Sequence, residues 1–128
     1  MTDIDRGAAP MGEDPIGAVE RLAGELKGTT SREAAGSLEY LFGDAVFAVR
    51  EGRVQSFLLG PEIATAGLRT PGTARTSRGA GWISLRSDPA DEFTVDRARA
   101  WFELAWRLAG GEPPRPPLED DGEDDPEN

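Results

Sequence analysis

The sequence contains no cysteine and no histidine, and its one lysine is Lys27. Without cysteine there is neither a disulfide framework nor a thiolate metal site. Without histidine, the commonest general base and the commonest metal ligand are missing, and no hydroxyl can be activated by a neighbouring imidazole. Lys27 stands beside Gly28 at the end of an expected helix, where its charge suits the helix dipole rather than chemistry. An enzyme built from this chain would have to use a carboxylate or Tyr40 as its acid–base group. The expectation is a non-enzymatic protein that needs no cofactor and no metal. No apolar run approaches the roughly 20 residues that span a bilayer. The opening "MTDIDRGAAPMGEDP" has no apolar segment of the kind a secretory signal carries, so the expected location is cytoplasmic, away from membranes.

Positive charge is also scarce. The chain has 128 residues, 24 acids and 14 bases, for a net charge of -10. The deficit is not uniform. Residues 1–14 hold four acids and one base, and residues 111–128 hold eight acids and one base. Residues 15–110 are balanced, with twelve of each. Arginine supplies thirteen of the fourteen bases, which together with the acidic ends gives a halophile-like composition. Three segments follow: a flexible acidic arm at 1–13, one folded unit at 14–110, and a Pro-rich acidic tail at 111–128. The tail, ending "LEDDGEDDPEN", has almost nothing to bury and is expected to be disordered. It either solvates the chain or folds back onto a cationic surface.

Periodicity predicts the elements of the middle segment. Asp14-Pro15 starts a helix over 15–27, with Ile16, Val19, Leu22 and Leu26 on one stripe and Gly28 as its stop. "SLEYLFG", "AVFAVR" and "RVQSFLL" read as strands, the last two joined by a Glu51-Gly52 turn. "TTSREAAG" before them suits a strand or a loop. Gly60-Pro61 opens a short helix over 61–67, residues 69–81 form a loop, and "GWISLR" is another strand. Thr94 caps a helix over 95–109, stopped by Gly110-Gly111. This order gives an α+β two-layer sandwich, with about four strands in an antiparallel sheet.

The leading helix, the "FGDAVFAVREGRVQSFLL" hairpin, "PEIATAGL", the "GWISLR" strand and a last helix ending "AWRLAGG" together resemble the MmcQ/YjbR-like small domains, and more distantly the TfoX N-terminal domain. The resemblance covers about residues 15–110. It implies a small α+β fold with a curved antiparallel sheet and, from the usual naming of its members, DNA binding. It carries no catalytic signature and assigns no functional residue.

Candidate site residues come from local composition. From Ile63 to Ser87 there is no acid, while Arg69, Arg75, Arg78 and Arg86 are present. Arginine binds phosphate through two donors at once, and glycine-rich backbone lets an anion approach closely. The four are candidate anion-binding residues. "GTARTSRGAG" lacks the lysine of a P-loop, and its glycines precede a strand rather than follow one, so nucleotide fingerprints are excluded. Trp82, Trp101 and Trp106 are candidate groove residues, since Trp101 and Trp106 are five apart and cannot share one line of a helix. Asp88, Asp91, Glu92 and Asp96 suit the dipole at a helix start, and their spacing fits no EF-hand. The reading is a small binding module with an arginine-bearing loop for an anionic partner, nucleic acid or phosphate. The alternatives are a protein–protein module, monomer or homodimer, that uses the Trp-bearing helix, or a small-molecule pocket between sheet and last helix.

Overall fold

A computed structural model describes residues 14–88 and 91–111. The acidic arm expected at 1–13, and the expected tail from residue 112 onward, lie outside them. Asp14 caps helix α1, Pro15–Glu25, by accepting from the Ile16 N–H at 3.2 Å, with proline at the first helical position. The helix stops two residues short of 27 because Leu26 already adopts extended backbone. Four consecutive strands follow: β1 Thr29–Ala34, β2 Ser37–Phe42, β3 Ala45–Glu51 and β4 Val54–Leu58. Helix α2 is Pro61–Gly67, then β5 Thr73–Arg75, β6 Trp82–Arg86 and helix α3, Glu92–Leu108.

The α+β two-layer arrangement holds, but the antiparallel sheet has six strands, in the order β1-β2-β3-β4-β6-β5. The two additional strands are at the edges. "TTSREA" pairs with β2 along its whole length, from Thr29↔Phe42 to Ala34↔Ser37, although its side chains bury little. "TAR", inside the expected loop, pairs with β6 over three residues. Edge strands need no apolar alternation, because one side of their ladder and much of both faces meet water. α3 starts earlier than Thr94. Asp91 is the cap, accepting from the Thr94 N–H at 2.8 Å, and its carboxyl is held below the ordinary range by that backbone hydrogen bond.

The register of β2 and β3 shifts once. Tyr40 pairs with Ala48 and Leu41 with Val46, which leaves Phe47 without a partner. This bulge lets Phe47 and Ala48 both turn to the same face. That face carries the core. Phe47 packs against Phe102 of α3, 5.1 Å between ring centres, and Tyr40 meets the same ring edge-on at 5.0 Å. Phe57 meets Trp101 at 6.1 Å. Burial pushes the Tyr40 phenol up. α1 packs along α3 through Val19 and Leu22. Gly67 of α2 seats against Ile83 and Trp101, where an added Cβ would lie 2.8 Å and 3.1 Å from them. All three helices therefore use one face. Among the described residues no helix is long and apolar enough to cross a membrane.

α3 ends in a Schellman-type stop. Gly110 takes φ 127°, and the Gly111 N–H returns to the Trp106 carbonyl at 2.9 Å. The Trp106 ring is pinned by its own N–H, which donates to the Lys27 carbonyl at 3.0 Å. A Cβ on Gly111 would come 2.2 Å from that ring. Urea unfolding is expected to show Phe102→Ala costing about 3–5 kcal/mol, since it leaves a cavity under Phe47 and Tyr40. Gly111→Ala is expected to cost about 1–3 kcal/mol through overpacking. An unchanged midpoint for Phe102→Ala contradicts this core.

Candidate binding surface

Antiparallel partners share a face. The opposite face of the sheet is therefore traced by the register: Arg32, Glu39, Val49, Ser56, Ser84 and Ala74 form one row across all six strands. Leu58 and Trp82 pair on one side of this row, and Val54 and Arg86 on the other. No helix covers this face. Its middle is made of small side chains, and Val49 and Ser56 are nonetheless 2% and 7% exposed, shielded by larger neighbours.

Trp82, two residues before Ser84 on β6, stands on the same face with Arg78 over its ring. The loop that carries Arg78 is built from short-range hydrogen bonds. The Arg78 N–H donates to the Thr76 hydroxyl at 2.9 Å, and the Trp82 N–H donates to the Gly79 carbonyl at 3.2 Å. The Gly81 carbonyl accepts from both Leu59 and Gly60, at 2.8 and 3.1 Å. Gly60 has φ 89° and lies so close that a Cβ on Gly81 would be 3.2 Å from its Cα. These bonds fix the return of the loop at β6. The Arg78 guanidinium consequently lies 5.4 Å over the Trp82 ring and reaches to within 3.9 Å of the Glu51 carboxylate. An exposed pair at that distance neutralises little.

The four candidate arginines divide into two groups. Arg78 and Arg86 belong to the open face, as their neighbours Trp82 and Val54 show. Arg75 pairs with Ile83 on the helix-bearing face and donates to the Thr65 hydroxyl of α2 at 3.4 Å. Arg69 is exposed in the turn leaving α2, where its N–H donates to the Ala66 carbonyl. The three tryptophans divide as well. Trp101 and Trp106 are buried in the core, while Trp82 is half-buried on the other side of the sheet, so they do not line one groove. The space between the sheet and α3 is filled by aromatic rings. Two hollows, of 810 and 350 Å³, instead lie between α1 and the β1–β2 hairpin.

The larger hollow is flanked by Arg50 and Arg53, but both are occupied. Arg50 donates to Glu20 at 2.5 Å. Arg53 grips Asp14 with both terminal nitrogens, at 2.6 and 3.1 Å, and donates to Asp88 at 3.1 Å. Arg53 thus ties the start of α1 to the segment after β6, a structural clamp that the sequence pattern gave no reason to single out. Among the described residues no cluster of three metal-ligating side chains is present. No protein-family model, curated protein or solved structure matches the chain.

The hydrogen bonds from Arg53 hold the Asp14 carboxyl below the ordinary carboxylate range. Its folded pKa is depressed, so its contribution to stability is complete above a pH of about 4 and is lost as the pH falls below that. Asp14→Asn keeps a helix cap but loses the charge pair. The urea midpoints of wild type and Asp14→Asn are expected to differ by a constant amount from pH 7 to 5 and to draw together as the pH falls below about 4. A difference that grows on acidification contradicts the clamp.

Proposed function

We propose that the chain is a non-enzymatic binding module whose contact surface is the β4–β6–β5 end of the open sheet face, and that it engages a phosphate-bearing anionic partner there. The observation that carries the reading is the stacking of Arg78 on Trp82, with Arg86 on the same face and no acid between Ile63 and Ser87. An aromatic ring with a guanidinium over it offers a stacking platform and two donors to a phosphate or a nucleobase. Ser84 lies on the same face, and the Thr76 hydroxyl accepts from the Arg78 N–H. The resemblance to the MmcQ/YjbR-like domains makes nucleic acid one of the ligands to try. The net charge of -10 opposes long-range attraction, so binding is short-range and strongest where salt screens the acidic remainder without saturating the arginines.

The division of the arginines supplies the test. Fluorescence anisotropy with short labelled DNA, RNA and polyphosphate at two salt concentrations reads the affinity. The Arg78→Ala and Arg86→Ala variants are each expected to weaken binding about 5- to 50-fold, within the range of a lost charge-assisted contact. Arg75→Ala, on the other face, is expected to leave it within about twofold. Equal behaviour of the two groups, or no binding of any of the three ligands, overturns the reading.

A further inference from the structure

The open face of the sheet carries no helix, and the chain itself holds an acidic segment long enough to reach it. α3 stops at Gly110-Gly111, and Gly110 seats against the Phe42 ring at the end of β2, where an added Cβ would lie 2.9 Å from it. Phe42 pairs with Ala45 at the start of β3, Ala48 with Phe57, and Leu58 with Trp82 at the start of β6. Gly111 and Trp82 therefore stand at the same rim of the sheet. In the strand order, β2 and β6 are three spacings apart, about 14 Å. With the thickness of the sheet added, the way from Gly111 over the rim to Trp82 is about 20 Å.

Residues 112–118, "EPPRPPL", include four prolines. Seven residues of polyproline backbone span about 22 Å, which matches that distance. The nine residues 119–127 then hold seven acids and no base. Their extended reach is about 30 Å. The step along β6 from Trp82 to Arg86 is only about 13 Å.

Charge selects the face. Arg32, Arg50, Arg53 and Arg107 already hold acids of the described chain. Arg86 is exposed with no ion pair among the described residues, and Arg78 has Glu51 at 3.9 Å. Lys27 lies nearer to Gly111, through the Trp106 ring that both touch, but it offers a single charge.

We propose that residues 119–127 occupy the β4–β6–β5 part of the open face of their own chain and compete there with the anionic partner. The proposal rests on the reading of that face as the anion site and adds its regulation. A tether of this length gives the segment a high effective concentration, so contacts too weak to hold a free peptide still cover the arginines. A phosphate-bearing partner must displace them, and salt loosens both contacts.

Paramagnetic broadening on the full chain tests the proposal. The chain holds no cysteine, so a Gly122→Cys variant takes a single nitroxide label within the acidic run. The indole N–H signal of Trp82 is expected to be broadened several-fold more than that of Trp101, which is buried on the other face. Replacing Arg78 and Arg86 together by alanine, or raising the salt to about 1 M, is expected to restore the Trp82 signal. Arg75→Ala is expected to leave it broadened. All three arginines are exposed, and circular dichroism melting confirms that the variants fold. Saturating polyphosphate is expected to release the segment and sharpen Trp82. A Trp82 signal no broader than that of Trp101, broadening indifferent to Arg78 and Arg86, or broadening that persists under bound polyphosphate overturns the proposal. The contact is read without any ligand, so its failure is separate from failure of anion binding.

Discussion

The unpaired residue in β3 decides how this molecule is built. Strict alternation along β3 would send Phe47 to the face opposite Tyr40 and Ala48. The bulge turns it to their side, where it presses on the same Phe102 ring that Tyr40 meets edge-on. Three aromatic rings from two strands and one helix then form the centre of one layer. Phe57 and Trp101 continue it toward β6, and Ile83 and Gly67 close it under α2. With that centre on one side of the sheet, α1 and α3 have a reason to pack there together, and α2 has only the remaining β6 end to cover. Apolar burial of this kind is the main favourable term in folding.

The consequence appears on the other face. Deprived of helices, it must be tolerable in water, and its middle row of Val49, Ser56 and Ser84 is small enough to be shielded by the side chains around it. Arg78 lies over Trp82 on the same face. The same arrangement puts the Trp82 ring, Arg78 and Arg86 at one end of the sheet, with the Glu51 carboxylate within 3.9 Å of Arg78.

Helices, hairpin and fold class were legible because their signals are local. Asp14-Pro15, the Val19–Leu22 stripe, Gly60-Pro61 and the Gly110-Gly111 stop each act within one or two turns of chain. The two edge strands were not, since a strand such as Thr29–Ala34 is held by its ladder with β2 rather than by its own side chains. The cap of α3 was misplaced by three residues because Asp91 and Thr94 are both acceptable caps, and the choice rests on which N–H meets which oxygen. For the candidate surface, composition identified an acid-free stretch with four arginines. It did not divide them. That division follows from register: Arg75 opposite Ile83, Arg86 opposite Val54, and Arg78 laid on Trp82. The Arg53 clamp joins residues 39 and 35 apart in sequence, a separation at which no spacing rule applies.

A sheet covered on one face only is most directly tested through its tryptophans. In a Trp101→Phe, Trp106→Phe variant the emission comes from Trp82 alone. Iodide is expected to quench it well and caesium poorly, because Arg78 lies over the ring and attracts the anion. Variants retaining only Trp101 or only Trp106 are expected to resist both ions. A Trp82 as protected as the other two, or quenched equally by both ions, contradicts the open face with Arg78 over its ring.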